Sequence, residues 1–168
     1  MKKRFFVTGT DTDAGKTFVT VLMLEALKQR GLSTLALKPL AAGCEQVDGE
    51  LRNDDALKLQ AAMTVALPYQ QINPIALKSA IAPHLAAEEE GRTLSVDRLA
   101  GVIRGALMTP ADVTLVEVIN YSGIGGMQLS SSVFSGSTGN IGIDARGVPI
   151  AVRLTVGDID ASGDAVPH

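Results

Sequence analysis

Gly9-Thr10-Asp11-Thr12-Asp13-Ala14-Gly15-Lys16-Thr17 is the stretch of this sequence best suited to chemistry. A short apolar run precedes it and helically spaced apolar residues follow, so it joins a strand to a helix. Successive backbone N–H groups in such a turn, together with the first N–H groups of the helix, present partial positive charge to an anion. Lys16 adds a full, mobile charge for terminal phosphates, and the Thr17 hydroxyl can ligate Mg2+. The spacing departs by one residue from the phosphate-loop pattern G-x4-G-K-[ST]. Gly9 comes one residue early, and Thr10 stands where the first glycine is expected. A plain strand–turn–helix with a chance Gly-Lys-Thr would read the same in isolation; the flanking strand and helix favour a phosphate loop.

A phosphate loop that uses Mg2+ needs carboxylates, because the ion keeps several waters and takes one or two protein carboxylates. Glu117 ends the apolar run Val113-Thr114-Leu115-Val116. In a parallel sheet that position lies at the carboxyl edge, where ligands bind; the alternative is a sheet-end glutamate facing solvent. Asp55 opens a helical segment, where a carboxylate also serves as a cap or a partner of the helix dipole. Lys38 follows the second strand candidate and precedes Pro39, on the same ligand edge by topology. It could neutralise transferred phosphate, or be a solvated strand end. His84 after Pro83 reads as a helix-start packing or capping residue. Cys44 reads as a bystander without basic or metal-binding neighbours in sequence.

These residues need elements to hold them. Arg4 to Val7 reads as a first strand. Lys16 to Gln29 reads as a helix, with Val19, Leu22, Met23, Leu24 and Leu27 at helical spacing and Gly31 ending it. Ser33 to Leu37 is a second strand, stopped by Pro39. Asn53 or Asp54 caps a helix from about Asp55 to Met63. Pro68 to Ala82 reads as irregular. Pro83 to Glu90 is a short helix whose Glu88-Glu89-Glu90 run suits a solvated surface. Ser95 caps Val96 to Leu107, and Val113 to Val118 is a third strand. Strands alternating with helices predict a parallel α/β sheet.

Composition narrows the function classes. The 168 residues are 46% hydrophobic and 20% charged, enough for one domain with a sizeable core. Lys+Arg 15 against Asp+Glu 18, a net charge of -3, disfavours nucleic-acid binding driven by phosphate neutralisation. With 4% aromatics and no tryptophan, base-stacking modules are disfavoured too. One cysteine excludes an internal disulfide, and two histidines leave little for a zinc site. Only Phe5-Phe6-Val7 follows Met1-Lys2-Lys3-Arg4, too short for a signal-peptide core, and no long apolar run occurs. The expectation is a soluble, cytoplasmic protein with no nucleic-acid or membrane partner. The texture changes near Val118. Beyond it there is no lysine and nine of the 17 glycines. Ile141 and Ile143, then Ile150, Val152 and Leu154, alternate about Asp144-Ala145-Arg146-Gly147, which predicts a β-hairpin. The chain thus divides into residues 1–117, a nucleotide-binding domain, and 118–168, an unassigned Gly/Ser-rich tail expected to pack poorly on the sheet.

The motifs together resemble dethiobiotin synthetase, the ATP-dependent cyclo-ligase family of biotin biosynthesis. The likeness is carried by Phe6-Val7-Thr8-Gly9-Thr10-Asp11-Thr12 with Gly15-Lys16-Thr17, and by Leu37-Lys38-Pro39. It continues through Leu51-Arg52-Asn53-Asp54-Asp55-Ala56, Asn73-Pro74, Ala82-Pro83-His84 and Leu115-Val116-Glu117, in the family's order. The resemblance implies a P-loop NTPase-like parallel sheet with flanking helices, truncated, with a β or irregular tail foreign to the family. The implied reaction joins 7,8-diaminononanoate and CO2 at the expense of ATP, closing a cyclic urea. By the resemblance, Asp13, Ala14, Gly15, Lys16, Thr17 and Phe18 form the nucleotide loop. Lys16 holds the β- and γ-phosphates, and Thr17, Asp55 and Glu117 hold Mg2+. Lys38 stabilises the carbamate and the phosphoryl in transfer. Thr12 and Ala42 lie beside the substrate, and the enzyme is a homodimer.

Departures from the family have implications of their own. Ala42 stands where the family has a substrate-contacting serine. Val118-Ile119-Asn120-Tyr121 replaces a glycine-rich stretch near the carbamate. The family's later strands and adenine-binding segment have no counterpart, and the run from Ile143 to Asp158 faintly resembles a hairpin of DDE-type transposases. These departures imply an alternative, a non-catalytic remnant fused to a foreign tail that at most binds nucleotide. A third reading is a phosphate-loop ATPase that moves or partitions cargo. Lys38-Pro39 and Arg52-Asn53-Asp54-Asp55 count against it.

Overall fold

The computed structural model describes residues 2–9, 15–118, 138–141 and 152–156. In chain order these form β1 (Lys3–Gly9), α1 (Lys16–Gln29), β2 (Thr34–Leu37), β3 (Leu40–Ala41), β4 (Glu45–Val47), β5 (Glu50–Arg52) and α2 (Asp54–Ala62). There follow α3 (Tyr69–Ile72), β6 (Ile75–Ala76), α4 (Pro83–Glu89), α5 (Val96–Leu107), β7 (Val113–Glu117), β8 (Thr138–Ile141) and β9 (Val152–Val156). The main sheet runs in the order β2-β7-β1-β9-β8.

Its first three strands are parallel, as the alternation of strands and helices predicts. The fold is a parallel α/β sheet with flanking helices, as in phosphate-loop NTPases. β2 and β7 are buried along their whole length. That suits a parallel sheet, whose crossovers cover both faces and whose strands are apolar throughout. In the register, Val7 lies opposite Glu117 and Leu37 opposite Val116. The carboxyl ends of the three strands therefore share one edge, and Gly15, Lys38 and Glu117 all lie at or just beyond it.

α1 buries Lys16, Thr20 and Leu24, one residue every four, in a single stripe. Leu22, which the spacing placed among its apolar residues, is 53% exposed. The helix stops at Gly31, whose φ of 74° only glycine adopts at little cost. There the Leu32 N–H donates to the Leu27 carbonyl and the Gly31 N–H to that of Lys28.

The stretch from Leu40 to Ala76 holds more structure than its sequence suggests. β3 pairs in parallel with β6, and β4 with β5 form a hairpin turned by Asp48 and Gly49, both at positive φ. α3 and β6 fall inside the span predicted as irregular. Ile75 and Leu77 join Ala86, Ala87, Leu99, Ile103 and Leu107 in a second core beside that of the main sheet. The acidic run of α4 is only partly a solvated surface. Glu90 accepts from the Lys78 N–H at 2.7 Å and Glu89 from the Ser79 hydroxyl at 2.5 Å, tying α4 to the segment before it.

On the far side of β1, β9 pairs antiparallel, with Phe5 opposite Val156 and Gly9 opposite Val152. β8 pairs antiparallel with β9. The sequence predicted a tail loosely attached to the sheet, yet these nine residues are ladder-bonded into it. The predicted turn at Asp144–Gly147 lies outside the described residues. Among the described residues, no helix is long and apolar enough to cross a membrane.

Candidate functional site

Lys38 leaves the end of β2 and is buried at the carboxyl edge of the sheet, 7% exposed. Its Nζ donates to Glu117 Oε1 at 2.6 Å and to Asp55 Oδ2 at 2.8 Å. The Thr17 hydroxyl donates to the same Glu117 Oε1 at 2.8 Å. Four residues on four elements thus meet at one place, although 100 positions separate Thr17 from Glu117. Glu117 is 1% exposed, which rules out the solvent-facing sheet end. Lys38 is likewise no solvated strand end. Asp55 is both things the sequence allowed, a first-turn acid of α2 and a partner of the site.

Burial works against the charge of the Lys38 ammonium. The Glu117 carboxylate and the bonds to Asp55 and Glu117 outweigh it and hold the ammonium above its ordinary value. Burial also opposes the Asp55 charge. The Lys38 bond and charge, then the Thr17 hydroxyl and Lys58, outweigh it and hold the carboxyl below its ordinary value. The Lys38 ammonium thus faces two carboxylates at once. Glu117 Oε2 is buried with no hydrogen-bond partner among the described residues. A buried, unpartnered carboxylate oxygen is costly unless a cation or donor reaches it.

The phosphate-loop half of the site is set by Gly15. It caps α1 at φ 76°, a left-handed conformation that turns the chain into the helix. Lys16 follows, 6% exposed. Gly15, Lys16, Thr17 and Phe18 line a cleft of about 620 Å³ with Asp55 and Lys58 across from them. Phe18 projects from the first turn of α1 at 61% exposure. Ala42 is partly buried and packs against the second core. Thr12, Asp13 and Ala14 lie outside the described residues.

The oxygens gathered here are hard donors, two carboxylates and a hydroxyl, of the kind Mg2+ takes. Among the described residues no cluster of three or more His, Cys, Asp or Glu forms a ready cage for a metal. Mg2+ does not need one, since substrate phosphates and waters complete its shell. The donor set and the orphaned Glu117 Oε2 fit such an ion.

Behind the site lies a polar group whose role sequence reasoning missed, although Asn73-Pro74 stood among the motifs of the resemblance. Tyr69 and Asn73 are buried at 5% and 3% exposure and bonded to each other. Asn73 also bonds the Lys38 backbone, and Tyr69 the Asn53 backbone. The signal was faint: one of two tyrosines in an aromatic-poor chain, four residues before an Asn-Pro.

A family model described as an AAA domain matches residues 3–129, running beyond Glu117. The ATP-dependent dethiobiotin synthetase of Cellvibrio japonicus is 60% identical over 116 residues, covering 69% of this chain and 50% of that enzyme. That of Marinobacter nauticus is 55% identical over 116 residues, with the same coverage of 69% and 50%. That of Alteromonas mediterranea is 44% identical over 140 residues, 81% of this chain and 58% of the enzyme. The chain spans about half the length of the curated relatives it matches.

Proposed function

This chain belongs to the AAA domain family, and on that premise we propose that it is an ATP-dependent dethiobiotin synthetase, a C–N-bond-forming ligase. It would take 7,8-diaminononanoate and CO2 as its other substrates. One amine takes up CO2 and loses a proton, giving a carbamate. A carbamate oxygen accepts the γ-phosphoryl group of ATP, and ADP leaves. The second amine then attacks the mixed anhydride carbon, phosphate departs with the C–O bond electrons, the attacking nitrogen loses a proton to water or to the departing phosphate, and the cyclic urea closes.

Each step brings anions together, so cations carry most of the work. Lys16, at the head of α1, binds the β- and γ-phosphates within the Asp13–Phe18 loop. An ammonium has three protons. Two of those on Lys38 go to Asp55 and Glu117, and the third is given to the carbamate oxygen or the phosphoryl in transfer. Thr17, Asp55 and Glu117 hold Mg2+, which supplies charge neutralisation at the phosphates. Thr12 and Ala42 border the diamine. Residues 1–117 carry this chemistry, and 118–168 form a second segment whose β8 and β9 extend the sheet. A homodimer in the cytoplasm is the matching assembly and place.

The observation that supports this reading best is the meeting of Lys38, Asp55, Glu117 and Thr17 beside the start of α1. Incubating the chain with the diamine, bicarbonate and MgATP tests it. Dethiobiotin formed in step with ADP is the expected result. No dethiobiotin from a folded chain would overturn it.

A further inference from the structure

We infer that Tyr69 and Asn73 are positioning residues that fix the Lys38–Asp55 pair through a closed circuit of hydrogen bonds. The circuit starts at the Lys38 carbonyl, which accepts from Asn73 Nδ2 at 2.7 Å. Asn73 Oδ1 accepts from Tyr69 Oη at 3.1 Å. Tyr69 Oη in turn accepts from the Asn53 backbone N–H at 2.6 Å. Asn53 Oδ1 accepts from the Ala56 N–H at 3.1 Å and so starts α2, whose second residue is Asp55. Asp55 closes the loop on Lys38 Nζ at 2.8 Å.

Packing alone does not call for this hydroxyl. A phenylalanine would fill the same core position and leave the Asn53 N–H and Asn73 Oδ1 unpaired, each at a cost. The ring is pinned independently. The Arg52 guanidinium sits 4.2 Å from its centroid, and Glu50 holds Arg52 at 2.6 Å. Tyr69 therefore reports the start of α2 to the exit of β2. Lys38 has four rotatable side-chain bonds, and the circuit fixes both its backbone and the carboxylate that receives its ammonium. An effect on turnover follows where Lys38 acts on the reacting group, as the proposed reaction has it.

The test is Tyr69→Phe and, separately, Asn73→Ser in the full chain labelled with 15N-lysine. The Lys38 ammonium signal is identified by its loss in Lys38→Met. Its protons should exchange with water about tenfold faster in both variants, the equivalent of one hydrogen bond. Turnover should fall about tenfold or more while the KM for MgATP holds. Ile103→Val, a change in the second core at a residue outside the hydrogen-bonded circuit, should leave ammonium exchange unchanged. In the unaltered chain the Asn53 amide should be protected, although it sits at a helix N-cap. Wild-type ammonium exchange in the two variants, or a freely exchanging Asn53 amide, would overturn the inference; so would accelerated exchange in Ile103→Val. Faster exchange in a chain that forms no dethiobiotin would sustain the circuit and overturn the proposed reaction instead.

Discussion

One ammonium, on Lys38, serves two carboxylates, one of them fully buried. Lys38→Ala strands them together, and breaking a buried pair in this way costs about 3–5 kcal/mol. Adding Glu117→Gln should restore most of that stability, as urea denaturation would register. The two lysines should also separate in function. Lys16→Ala should lose MgATP binding by calorimetry. Lys38→Ala should keep it while turnover falls by about 10²–10³, the scale for one lost electrostatic stabiliser. Equal losses of affinity and turnover in Lys38→Ala would contradict the division. The acid side offers a further check. Asp55 is held below its ordinary value of 3.8, so its contribution to stability is fully present above that pH. It is lost as pH falls through the depressed value. Urea midpoints of wild type and Asp55→Asn should therefore differ near neutral pH and converge in acid. A gap unchanged down to about pH 2 would contradict this.

Element by element, glycines separate backbone need from chance. Gly31 has a φ of 74° and open space around its missing Cβ, whereas Gly101 sits inside α5 with open space and an ordinary helical backbone. Gly31→Ala should therefore destabilise by about 1 kcal/mol through strain alone. Gly101→Ala should stabilise by about 0.5–1 kcal/mol through helix propensity. Thermal denaturation decides both. Elements of this regularity were legible in the sequence. α1 and α5 begin and end at the expected residues, because apolar spacing and punctuation by Gly31 and Ser95 agree. β3, β4, β5 and β6 were not legible, since two or three residues are too few to show a period. α3, at four residues, has the same difficulty. For the site, the types and order of Lys16, Lys38, Asp55 and Glu117 pointed to one edge, but not to their mutual bonds. The bond from Tyr69 to Asn53 spans 16 positions and leaves no local pattern.

At the scale of the whole molecule, β1 is held on both sides, by β7 and by β9. Deleting residues 119–168 would bare one edge of β1, and an unpaired edge is a template for other chains. The truncated chain should form larger assemblies in sedimentation experiments than the intact chain does. Equal behaviour of the two would show that β9 contributes nothing to protecting β1. The same connectivity has a temporal side. Thr17 waits 100 positions for Glu117, and Lys38 waits 79. A ribosome adding on the order of 5–20 residues each second must run several seconds beyond the phosphate loop before the partners of that loop exist. The first strand is made first and paired late, so for most of synthesis the nascent chain carries its apolar Phe5-Phe6-Val7 without a sheet to join. The contacts made by Glu117 form late, and a ribosome stalled before it would release a chain that lacks the Lys38–Glu117 pair at its centre.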